Sequence, residues 1–403
     1  MSTTEVEATP AFEPRSGETW RDPFAMYAAL RDHDPVHHAE RGDYWVLSRH
    51  ADVFAAARDT ETFSSAQGLT FTHGEIEKLG LDRNPPMVMM DPPDHTAFRR
   101  LAARGFTPRH VAEIEPEVRA FVTGRLARIG AVGDTDVDIV AELFTPLPSM
   151  VVAHYLGVPA ADLSRFDGWT EAIVAANASG DPLAASDAVG GLFEYFSDLI
   201  EVRRAEPIDD AISALVTTAP GAEPVDLAQV LGFAFTMVTG GNDTTTGLLG
   251  GAAELLTARP DQRARLIEHP ELIPDAVEEL LRLTSPVQGL ARTTTRDIEL
   301  HGRLVPMGTK VLLLYAAANR DPDAYGPDAA ELDVARRPAR ILTFSYGAHH
   351  CLGAAAARLQ GRVVLEELLA AMPDFTVDAA RGEFAGGHFV RRYQSLPFRS
   401  GRP

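Results

Sequence analysis

The chain has 403 residues, 45% of them hydrophobic and 23% charged, enough to bury a substantial core. Its formal net charge of −20 argues against non-specific nucleic-acid binding, which needs clustered positive charge. A single cysteine rules out an internal disulfide and a four-thiolate zinc or iron–sulfur centre, and no apolar run of ~18 residues predicts a transmembrane helix.

Met1 to about Arg15 is polar and lacks the basic-then-apolar order of a signal peptide, so it reads as a disordered tail. A free thiol without a signal points to the cytoplasm. Asp22–Arg31 places Phe24, Tyr27 and Leu30 at helical spacing; Tyr44–Ser48 reads as a strand, His50–Arg58 as a helix and Thr62–Ser65 as its exit. Residues 66–90 read as a long loop, and long loops in compact domains are often functional. Asp91-Pro92-Pro93 follows, where Asp91 is placed to cap a helix carrying the prolines in its first turn. Val111–Arg128 and Ile139–Leu156 read as helices, the second closed by Gly157 and Pro159, and 162–205 also reads as helical. From Pro224 to about Thr257 a pattern runs long enough for roughly 50 Å of helix. Asp275–Leu283 is a short, strongly periodic helix. Residues 295–315, around Gly302 and Gly308, read as hairpin strands. Ala354–Met372 is a further helix, and Phe389–Phe398 a terminal strand segment.

Chemistry concentrates in a few places along this frame. Cys351 lies in Phe344-Ser-Tyr-Gly-Ala-His-His-Cys351-Leu-Gly353. A lone thiol is an inert core group, a nucleophile or a single thiolate ligand to one metal. Its surroundings favour the ligand: Gly347 and Gly353 let backbone pass close to another body, and Phe344 supplies a flat apolar face. Midway along the long helix stands Gly240-Gly241-Asn242-Asp243-Thr244-Thr245-Thr246, poor helix sequence with two glycines and three threonines. Either a close helix crossing needs small residues there, or the rule break marks a functional site. Glu279 and Arg282 are three apart and share a helix face. His95 and Arg99 are four apart on another.

Together these segments resemble the cytochrome P-450 family. Phe344, Gly347, His349, Cys351, Gly353, Ala357 and Arg358 match its haem-binding loop, and in that family a cysteine thiolate holds the haem iron. Gly240, Gly241, Asp243, Thr244 and Thr245 match its oxygen-activating segment. Glu279-Leu-Leu-Arg282 matches its Glu-x-x-Arg, and Ala318-Asn-Arg-Asp-Pro322 a further signature read as a structural turn. The family pairs Glu-x-x-Arg with a third basic residue. Here Glu331 holds that position, and Arg336 is the nearest basic replacement.

The resemblance runs from about Asp22 to Phe398. It implies a mainly α fold, a large helical portion with a smaller β-rich one, and a single domain over 16–403 after the tail. It implies haem b (iron protoporphyrin IX) as cofactor, with Cys351 as metal ligand and Phe344, Gly347, Gly353 and Gly240 beside the cofactor. His95, Arg99, Arg292 and His349 would hold its propionates, and Asp243 and Thr244 would deliver protons. The helix is expected to open at Gly240-Gly241. The implied activity is a monooxygenase reaction of O₂ with a hydrophobic small molecule, fed by a separate ferredoxin and ferredoxin reductase, without nucleic acid or membrane anchor. Oxidative coupling, peroxide-driven oxidation and non-catalytic haem binding are the rivals. Phe71, Met87, Met89, Met90, Trp169, Ile173, Phe235, Val238, Leu290 and Phe389 are the expected pocket residues. Arg100, Arg104 and Arg109 are expected to meet the electron donor. The texture of Thr284–Arg292 points to an orphan mycobacterial and actinobacterial branch.

Overall fold

The computed structural model describes residues 11–78, 80–81, 83–133, 135–179, 182–217 and 225–401. The expected tail falls largely outside them. Within 11–15 there is no helix or strand, but Phe12 packs edge-on against Tyr44, ring centroids 6.3 Å apart.

The spine is the long helix Leu227–Ala258. The side chain of Asp226 caps it by accepting from the Ala228 amide at 2.8 Å; the expected start at Pro224 lies outside the described residues. Packed on this spine are Pro146–Tyr155, Leu163–Ser179, Ser186–Ala205, Ile273–Thr284 and Ala354–Ala371, with Pro108–Ala131 against the last of them. Glycines set the close crossings. A Cβ at Gly241 would lie 2.6 Å from Val152 Cγ2, and one at Gly251 2.6 Å from Thr284 Cγ2. The helix is continuous through Gly240-Gly241, so the expected opening is absent. Thr244 and Asn242 donate back to the carbonyls of Gly240 and Val238, both at 2.7 Å, and the helical ladder holds around them.

The β-rich portion is a five-stranded sheet in the order Val36–Ala39, Tyr44–Leu47, Lys310–Leu313, Leu290–Thr294, Phe63–Ser64. Tyr44–Leu47 pairs parallel with Lys310–Leu313, and the other pairings are antiparallel. The expected exit at Thr62–Ser65 thus contributes an edge strand. Ile298–Leu300 and Arg303–Val305 form the expected hairpin around Gly302. Leu290 and Arg292 share one face of their strand by its two-residue period.

Two local expectations fail. Ile139–Leu156 is not one helix: a π-turn at Val140–Phe144 precedes Pro146–Tyr155, and Pro146 has no amide to continue the ladder. Nor does Asp91 cap a helix. Its carboxylate accepts from the Ser64 hydroxyl and from the Ser65 amide (2.9 Å), tying the start of helix Asp94–Ala102 to the sheet edge.

Cation–aromatic contacts join the chain's two ends. The Arg320 and Arg391 guanidiniums lie 3.7 and 5.6 Å from the Phe24 ring, and Arg391 and Arg21 lie 4.7 and 5.4 Å from the Phe384 ring.

Candidate functional site

The Cys351 loop is shaped by backbone. Ser345 and Gly347 have positive φ, 56° and 71°, and the Cys351 amide donates to Phe344 O at 2.9 Å, closing the turn. A Cβ at Gly347 would lie 3.0 Å from Ala57 O, so space as well as φ selects glycine. Gly353 then begins the helix Ala354–Ala371, aiming a helix N-terminus at the thiol. Burial raises the thiol pKa, while the Gly353 amide, Arg99 and Arg358 act against it. Cys351 is nonetheless exposed to solvent, and it lines a large cavity. Arg358 lies over the Phe344 ring at 4.6 Å and pairs with Glu278 at 3.0 Å, fixing the aromatic face.

Behind this loop lies a closed ionic cluster. Arg282 and Glu279 are both fully buried and form a two-pronged pair at 2.7 and 2.8 Å. Arg282 also donates to Asn319 O (2.7 Å) and Ala329 O (2.6 Å). Arg336 meets Glu279 at 3.1 Å and is therefore the third partner; Glu331 instead pairs with Arg259 at 3.4 Å. Asn319 donates to Ser285 Oγ and Thr343 Oγ1 and accepts from the Leu342 amide, so the turn at Ala318–Pro322 buttresses the chain entering Phe344.

The cavity has an empty volume of about 1520 Å³, its open mouth included. Cys351, Phe344 and Gly353 line it. So do His95, Arg99, Arg292 and His349. His95 is buried, and neither ring nitrogen has a hydrogen-bond partner within the protein. Its ring lies 4.2 Å from that of His349. His349 meets Ser65 Oγ at 3.2 Å. Burial, then the charges of Arg292, His95 and Arg99, push the His349 pKa down to about 3. Arg99 donates to His350 O (2.5 Å) and Arg292 to Ala291 O (2.8 Å). Among the described residues neither arginine has an ion-pairing carboxylate. The rim is therefore a positive field lacking an anion.

Gly240, Gly241, Thr244, Thr245 and Leu248 bring one stripe of the long helix to the same cavity. Asp243 does not line it. Its carboxylate is buried and ion-paired with Arg392 Nε at 2.8 Å, and Arg392 also donates to Tyr393 O and, at 3.4 Å, to Val174 O. Arg392 escaped the sequence reading because nothing local ties a terminal-strand arginine to a helix acid. Gly347 also stands off the cavity wall, against the helix His50–Arg58. Of the expected pocket residues Met87 and Leu290 are in the wall. The others lie elsewhere: Trp169 packs on Tyr195, Phe235 on Phe193 and Phe71 on Tyr44. Phe106, Tyr155, Phe233 and Met237 line the wall unforeseen.

A cytochrome P450 family model matches residues 252–379. Over 396 residues the chain is 62% identical to Cytochrome P450 130 of Mycobacterium tuberculosis, covering 96% of this chain and 97% of that one. The chain belongs to the cytochrome P450 family. Within it, the Vitamin D(3) 25-hydroxylase of Pseudonocardia autotrophica is 36% identical, with 100% and 98% of the two chains covered. The solved Cytochrome P450 CYP109Q5 from Chondromyces apiculatus superposes with a TM-score of 0.85 at 31% identity, covering 96% and 97%. The P450 assignment makes the protein an oxidoreductase of the monooxygenase class with haem b as cofactor. The residues present fit that group: a thiol facing an apolar hollow, a cationic rim without a carboxylate, and a buried histidine whose two nitrogens lack protein partners.

Proposed function

We propose that this P450 inserts one oxygen atom of O₂ into a neutral, hydrophobic small molecule in the cytoplasm, with electrons from a ferredoxin and its reductase. The observation that carries this reading is convergence: the Cys351 thiol, the Thr244 segment and the cationic rim, from distant parts of the chain, line one cavity. Haem b, when bound, supplies the centre for O₂ activation, with electron density pushed onto it by the cysteine thiolate. Cys351 is its ligand, and His95, Arg99, Arg292 and His349 bind its propionates by charge-assisted hydrogen bonds.

Each turnover consumes two electrons and two protons, leaving one oxygen atom in product and one in water. Thr244 holds a transferable proton at Oγ1, now directed at Gly240 O. Asp243 resupplies it, after exchanging its Arg392 contact for water or for Thr244. Beyond the rim, Thr236 and Thr244 bond back to their own helix at 2.7 Å, so the substrate's share of the wall is apolar and suits an uncharged molecule. The Pseudonocardia relative, a Vitamin D(3) 25-hydroxylase, supports that class. No helix among the described residues is long and apolar enough to cross a membrane. Arg109 is engaged by Glu113 and Asp209 at 2.7 and 3.3 Å, leaving exposed Arg100 and Arg104 to meet an acidic electron donor.

Replacing Cys351 by Ser abolishes the reduced carbon-monoxide band of thiolate-ligated haem; a surviving band removes Cys351 as ligand. Thr244→Ala sends electrons to peroxide instead of product, and unchanged coupling removes Thr244 from the proton path.

A further inference from the structure

Arg292 lines the haem cavity, so its strand neighbour Thr293 points to the opposite face of the sheet. In register, Thr293 stands between Lys310 and Ser64, and Lys310 stands opposite Tyr44. These four side chains therefore form one row across the sheet. The rings of Phe71 and Phe12 cover its Tyr44 end, at 4.7 and 6.3 Å. Ser64, Thr293 and Lys310 line a second hollow, with an empty volume of about 760 Å³, its open mouth included. Among the described residues none lines both this hollow and the haem cavity.

The wall of this hollow is polar, and one of its groups is left over. Ser64 Oγ donates to the Asp91 carboxylate, Thr294 Oγ1 to Pro306 O (2.6 Å) and Thr295 Oγ1 to Glu61 O (2.5 Å). Thr293 Oγ1 is buried and has no hydrogen-bond partner within the protein. Buried polar groups are almost always satisfied, so such a hydroxyl marks a place for something the chain does not supply. Beside it Lys310, only 2% exposed, donates to Gln67 O at 2.5 Å and brings a positive charge to the same wall. Side chains opposite one another on paired strands start about 5 Å apart, close enough to share one ligand. None of the described residues in the wall is acidic. We propose that this hollow is a second binding site, for a small oxyanion held by the charge of Lys310 and the hydroxyl of Thr293. Phosphate and carboxylate offer the same oxygen acceptors to this pair. The site stands apart from the monooxygenase reading and does not depend on the substrate.

Haem-loaded wild type, Thr293→Val and Lys310→Met are titrated with inorganic phosphate and with acetate by isothermal calorimetry, sodium chloride holding the ionic strength constant. The loaded haem keeps the cationic rim occupied, so added anion reads the second hollow. The wild type should show saturable one-site binding at millimolar anion, and the tighter of the two probes names the class. Thr293→Val should bind it about 10-fold or more weakly, and Lys310→Met at least as weakly. Where Lys310→Met does not fold, Thr293→Val decides alone. In chloride without either probe, Thr293→Val should melt no lower than the wild type, because the hydroxyl it loses has no partner. A wild type without saturable binding overturns the proposal and leaves the hollow to water. So does a Thr293→Val that binds as the wild type does, or that melts lower in chloride, because the hydroxyl then serves the fold. A response that comes with loss of haem absorbance belongs to the rim and overturns it as well.

Discussion

Two buried cationic clusters flank the Cys351 loop, and they are finished differently. In the first, Arg282 and Arg336 share the Glu279 carboxylate, and backbone carbonyls take remaining donors. In the second, Arg99 and Arg292 reach only carbonyls, His95 reaches nothing, and burial, followed by these neighbours' charge, depresses the pKa of His349. Burying charge is costly unless it is paired. A cluster paired from within is part of the fold, whereas one left positive is shaped for an anion from outside. The difference separates framework from binding site without reference to any relative.

Removing one partner from each cluster tests this division. The largest effect is expected from Glu279→Ala, which strands buried Arg282: about 3–5 kcal/mol of stability lost in denaturant unfolding, with or without haem. A loss confined to haem-loaded protein would make that cluster part of the site. Next, Arg292→Ala should leave apoprotein stability unchanged or slightly raised, since an unpaired cation disappears. Haem transfer to an excess of acceptor should quicken about 10- to 100-fold, the worth of a charged hydrogen bond. Equal retention would sink the rim assignment. Smallest is Glu331→Gln. Its pair with Arg259 is exposed, so the melting temperature should move by about a degree or less. A large drop would return Glu331 to the first cluster.

Local signals in the sequence carried far. The spacing from Phe344 to Gly353 located the thiol, and the four-residue interval placed His95 and Arg99 together because helix geometry does so. Arg336 was found by elimination, once Glu331 proved to have the wrong charge. Signals made by distant contacts were lost. Asp91 had the form of a helix cap, but Ser64 and Ser65, far away in sequence, claimed its carboxylate. Arg392 joined Asp243 across more than a hundred residues. Trp169 and Phe235 are apolar and near the right helices, yet apolar character alone does not say which side of a helix faces a hollow. Gly240 and Gly241 are identical as letters and opposite in environment.

The sheet and the rim also bear on how the protein is made. Tyr44–Leu47 cannot find its parallel partner until Lys310–Leu313 has been synthesised. His95 and Arg99 wait for Arg292 and Cys351, Asp243 for Arg392, and Phe24 for Arg391. Most of the nascent chain therefore leaves the ribosome before any of these partnerships can close, and late long-range pairing is slow and exposes apolar surface. Cofactor capture belongs to a nearly finished polypeptide, because the cavity has all its walls only once the chain has been made past Cys351 to Gln360.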